Sequence, residues 1–131
     1  MGAKEKNEEQ VSSVRSVEEI NALSAATDSI LVERLDDAKA GALRRLRQLR
    51  VLYQDGSPVG LTDRGVEALA QLPSLEVLDL EWAEAVTDHA LAALHGMPRL
   101  RWLDIGGCPQ ITEEAINGLL RAKPQLEIEW W

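Results

Sequence analysis

Apolar residues recur along this chain in two alternating rhythms. Leu75-Glu76-Val77-Leu78-Asp79-Leu80 and Leu100-Arg101-Trp102-Leu103-Asp104-Ile105 read as short strands. Between them Val66, Leu69 and Leu72 recur at every third position, the stripe of a helix with one buried face. Pro73, Pro98 and Pro124 mark where such helices stop. The alternation is copied along the chain. Leu61-Thr62-Asp63, Val86-Thr87-Asp88 and Ile111-Thr112-Glu113 stand 25 residues apart, and Leu69, Leu94 and Leu119 follow in step. Self-similarity at such a period marks a solenoid, in which each unit buries its apolar face against the next.

Each unit opens with a Thr and an acid, an N-cap followed by a charge that suits the helix dipole. A degenerate copy lies 26 residues earlier, aligning Leu35 with Leu61, Leu43 with Leu69 and Val51-Leu52 with Val77-Leu78. About four repeats of 25–26 residues therefore fill 35–131. Ahead of them, Ser16 with Glu19 forms a capping-box pattern, and Val17, Ile20 and Leu23 predict a helix over about 17–26. Ile30-Leu31-Val32 predicts the first strand, so 16–34 is expected to cap the N-terminal end; the polar stretch 1–15 is expected to be a disordered tail. Strand then helix in every unit predicts an α/β fold of right-handed βα repeats, with a parallel sheet on the concave side and helices on the convex side.

Leu100-x-x-Leu103-x-Ile105-x-x-Cys108, followed by Ile111-Thr112-Glu113 and Leu119, resembles a leucine-rich repeat of the cysteine-containing type. Such repeats are found in F-box substrate-recognition proteins and in the small ATP synthase s-like assembly proteins. The resemblance covers about residues 30–131 and implies a fold; leucine-rich repeats serve many unrelated tasks. No F-box precedes the repeats, so a ligase role is not implied. A single repeat carries the cysteine; Glu81 to Ala85 fill the corresponding turn in the preceding copy. The resemblance implies that Cys108 packs in the buried turn between strand and helix.

At 131 residues the chain is expected to form one domain. Its net charge of −8 lies wholly in 51–131, with thirteen acids against five bases, whereas 1–50 balances nine against nine. An acidic body argues against nucleic-acid binding. The cluster Arg44, Arg45, Arg47 and Arg50 is read as a solvated face near a helix C-terminus. No apolar run reaches membrane-spanning length, and the first ten residues carry no apolar stretch, so neither a membrane partner nor a signal peptide is expected. With one cysteine the natural setting is reducing and cytoplasmic.

Catalytic chemistry finds no support. His89 and His95 fall out of register with Cys108, and the adjacent pair Asp88-His89 does not face one ligand. Gly106-Gly107 matches no phosphate-loop pattern and reads as a tight turn. No enzyme activity, cofactor or metal is expected. The informative set is the outward face of the strands, since side chains alternate. With Leu78 and Leu80 inward, Val77, Asp79 and Glu81 point outward; the same register places Tyr53 and Asp55, and Trp102 and Asp104, beside them. In the last strand, Leu126, Ile128 and Trp130 inward leave Glu127, Glu129 and Trp131 outward. Aromatics among acids suit a basic partner, with Trp102 and Tyr53 expected to give affinity and Asp79, Glu81 and Asp104 selectivity.

The expected function is non-enzymatic protein binding through this acidic, aromatic face. The alternatives are an immunity protein or inhibitor for a basic toxin, and a structural subunit or assembly factor. In the last case the strand ending at Trp130-Trp131 would meet another molecule, including a second copy in a homodimer.

Overall fold

The computed structural model describes residues 11–131, and over them the predicted alternation of strand and helix is realised throughout. The order is β1 (Ser12–Val14), α1 (Val17–Asn21), β2 (Ser29–Glu33), α2 (Asp37–Leu43), β3 (Val51–Asp55), α3 (Asp63–Leu69), β4 (Val77–Asp79), α4 (Asp88–Leu94), β5 (Trp102–Asp104), α5 (Glu113–Ala122) and β6 (Glu127–Glu129). The strands form one six-stranded, all-parallel sheet whose spatial order is their sequence order. Val51 pairs with Val77, Val77 with Trp102 and Trp102 with Glu127, so the sheet register reproduces the 26- and 25-residue offsets of the sequence.

Two boundaries differ from expectation. Ser12–Val14 is a strand rather than tail: it pairs with Ile30–Val32, and Val14 is buried. Three residues with one apolar side chain carry almost no periodic signal, and the pairing comes from the neighbouring strand. The first ten residues of the expected tail lie outside the described residues. The first helix stops at Asn21, five residues short of the expected end. At and beyond this end, Arg45 Nη2 donates to the carbonyls of Ile20 and Leu23 at 2.7 Å each. The other arginines of the cluster also bind within the fold: Arg44 donates to Gln71 Oε1, and Arg50 Nε to Glu76 Oε2 at 3.1 Å.

The helical stripes and the inward strand positions meet in one continuous core. Leu52, Leu78 and Leu103 from the strands are sealed against Leu43, Val66, Leu69, Leu91 and Leu94 from the helices. Burying each such side chain contributes about 1.5–3 kcal/mol, so the core is the main source of stability. Cys108 belongs to it, and its thiol donates to the Leu80 carbonyl at 3.2 Å.

The Thr-acid motif has two functions. Thr62, Thr87 and Thr112 cap α3, α4 and α5, as predicted. The acid that follows reaches into the next unit. Asp63 accepts from the Thr87 backbone N–H at 2.7 Å and from its hydroxyl at 2.5 Å. Asp37 holds Thr62, and Asp88 holds Thr112, in the same bidentate way. One carboxylate thus satisfies an otherwise orphaned helix N-terminus and ties each unit to its neighbour.

Candidate functional site

The strand register places the expected site residues in rows across the sheet face away from the helices. Val51, Val77, Trp102 and Glu127 make one row; Asp79, Asp104 and Glu129 make part of the next. Over β3, β4 and β5 the inward and outward sides are therefore as alternation predicts. Exposure is not. Trp102 is 1% exposed and Val77 1%, Tyr53 is 6%, and Asp79 and Asp104 are sealed at 0%. Tyr53, Val77 and Trp102 form a second apolar cluster with Leu31 and Val51 against it. Alternation fixes which side of a sheet a residue occupies; it says nothing about how closely its neighbours cover it. The expectation that Trp102 and Tyr53 offer exposed contact surface is corrected accordingly.

The acids on this face are held by the turns that follow the strands. Asp79 Oδ1 accepts from the Glu81 N–H at 3.1 Å, and Asp104 Oδ1 from the Gly106 N–H at 2.9 Å. In each of these Asx turns a backbone N–H satisfies one oxygen of a buried acid. Asp79, Glu81 and Asp104 each bring a carboxylate oxygen within 4.8 Å of the others. Hard oxygen donors of this kind can hold a divalent cation. Proximity of three acids is not in itself a metal centre.

Exposed aromatic surface lies instead at the carboxyl ends of the strands. Trp82 is 51% exposed, Trp131 62% and Trp130 44%. Trp130 and Trp131 both follow the end of β6, and Trp130, expected inward, is exposed rather than part of the core. Trp82 and Trp131 meet edge to face, with ring centroids 5.9 Å apart and planes at 76°. Their seat is Gly106-Gly107. A Cβ on Gly106 would lie 2.2 Å from the Trp131 ring, and one on Gly107 2.3 Å from the Trp82 ring. Gly107 also has φ of +71°. The glycine pair that reads as a simple turn is therefore the floor under two indoles.

Sequence reasoning missed Trp82. It sits in the irregular turn after β4 with φ of +67°, in the left-handed region that non-glycine residues rarely occupy. Its N–H donates to the Gly106 carbonyl at 2.8 Å, which holds the strained turn in place. The available signal was a tryptophan in the turn position that Gly107 fills one repeat later. Beside it, Gln54, Asp55, Gly56, Ser57, Glu81 and Trp82 line a cavity of about 310 Å³. Asp55 is exposed, and Glu81 and Glu129 half-buried, so the rim is acidic as well as aromatic; Glu127, expected beside them, is exposed at the amino end of β6 near Arg101 and Lys123.

Cys108 follows Gly107 directly and lies buried beside the Trp82 turn. Burial pushes its thiol up to about 11, and the charges of Asp104 and Asp79 add to the shift. A thiol so protonated at neutral pH is a poor nucleophile. Among the described residues no helix is long and apolar enough to cross a membrane. Comparison with known proteins finds no family model that matches the chain and no curated protein similar to it.

Proposed function

We propose that this chain is a non-enzymatic protein-binding module of the leucine-rich-repeat type. It takes a basic segment of a partner protein along the acidic outer face and carboxyl rim of its sheet. The observation that carries this reading is the exposed Trp82–Trp131 pair at the carboxyl ends of the strands, where Asp55, Glu81 and Glu129 also lie. Half-exposed indoles on a fixed glycine floor are costly to leave in water, and they are the side chains that dominate binding hot spots. The surrounding carboxylates favour a cationic partner and speed its approach. Trp82 and Trp131 thus take the part that alternation gave to Trp102 and Tyr53.

Affinity capture from source lysate tests this, comparing wild type with a Trp82→Gly/Trp131→Ala variant whose circular dichroism is unchanged. A basic protein retained by the first and lost by the second supports the reading; equal retention by both overturns the rim as the site. A second reading, assembly through the outer strand, is favoured by Trp130 standing exposed beside β6. Light scattering at rising concentration separates the two, since self-association through β6 raises the mass and Trp130→Ala lowers it again.

A further inference from the structure

We infer that the cavity between the β3 and β4 turns is an arginine receptor, the point at which a basic partner segment is read. This rests on the proposed binding of a basic segment and names the side chain that the site selects. Trp82 lines the cavity together with two acidic residues, Asp55 and Glu81. Both acids stand in turns fixed by backbone bonds. Asp55 Oδ1 accepts from the Gly56 N–H at 2.9 Å, and Gln54 Nε2 donates to the Glu81 carbonyl at 2.9 Å. Trp82 is held in turn by its approach to Gly107 and its edge-to-face contact with Trp131.

A planar cation suits a lining of one tryptophan and two acids best. Guanidinium lies flat on an indole face while its N–H fork donates to carboxylates at the edge of the ring. The lysine ammonium is a compact, strongly hydrated charge without a plane to stack, so it gains the acids and little from the indole. The strained backbone of Trp82 fits this role, because left-handed tryptophan persists where its surroundings over-determine it, commonly at binding sites.

The test titrates the full chain with three peptides, following tryptophan fluorescence and heat: Ac-Gly-Arg-Gly-Arg-Gly-amide and its lysine and citrulline counterparts. The arginine peptide is expected to bind about tenfold more tightly than the lysine peptide, the scale of one desolvated cation–π contact, and citrulline not measurably. Trp82→Gly, which also relieves the backbone, and the isosteric Glu81→Gln should each weaken the arginine peptide to the level of lysine; Trp130→Ala should not. Arginine and lysine peptides binding alike, unaffected by Trp82→Gly, would overturn the arginine receptor and leave the basic-segment reading standing. Binding of neither would overturn both.

Discussion

Two neighbouring glycines support the rim in different ways, and substitution separates them. At Gly106 an added methyl meets the far end of the Trp131 ring, which can swing away at little cost. Gly106→Ala is expected to change stability by less than about 1 kcal/mol while raising acrylamide quenching of tryptophan fluorescence, because the Trp82–Trp131 contact is lost. At Gly107 the same methyl meets Trp82 and also forces a left-handed backbone on a residue with a side chain. Gly107→Ala should cost about 1–2 kcal/mol in urea unfolding. Cys108 offers a second check at this scale. With its thiol pushed up to about 11, alkylation by iodoacetamide at pH 8 should be slow in the native protein and fast in urea. Rapid native labelling would contradict its place in the core. Of these residues, Cys108 was legible through the resemblance to cysteine-containing leucine-rich repeats and Trp82 was not, since a turn residue with positive φ belongs to no periodic pattern.

Secondary-structure elements were more legible than their exposure. Thr62, Thr87 and Thr112 read correctly as caps because capping is local, spanning two or three residues. The bidentate tie from Asp63 to Thr87 spans 24 residues and needs the stacked fold before it exists. For the same reason the side of the sheet on which Trp102 lies follows from its strand, while its 1% exposure follows from neighbours on other strands. The ladder predicts a contrast between helices. Asp63→Ala removes two hydrogen bonds to a charged acceptor and strands a part-buried Thr, a loss of about 2–4 kcal/mol by thermal unfolding. Glu113 has the equivalent position in α5, but no hydrogen bond from it to a following Thr is found among the described residues. Glu113→Ala should stay within about 0.5 kcal/mol of wild type.

Across the whole molecule, charge sets the response to conditions. Glu76 lies between Arg50 and Arg101, whose hydrogen bonds hold its carboxyl below the ordinary carboxylate range. A group depressed in the folded state stabilises at pH above its unfolded value, and that contribution is lost as pH falls through the lower folded value. Glu76→Gln should therefore flatten the acid limb of the stability profile while leaving its shape at neutral pH. The effect should be under about 1 kcal/mol because all three side chains are partly solvated. The net −8 makes a separate statement about binding: affinity for a basic peptide should fall with added salt, as rim charges are screened.

The strict neighbour-to-neighbour order of the six strands also governs how the molecule can be assembled in time. Pairing any strand with the next closes a segment of about one unit, and never the whole chain. Closure entropy grows with segment length, so that cost is paid once per unit and stays constant however many units are strung together. A version lengthened by a copied unit would bring no two residues together from farther apart than this one does, and its early steps should run at the same speed. Size, in such an architecture, can change without slowing the search for the native state.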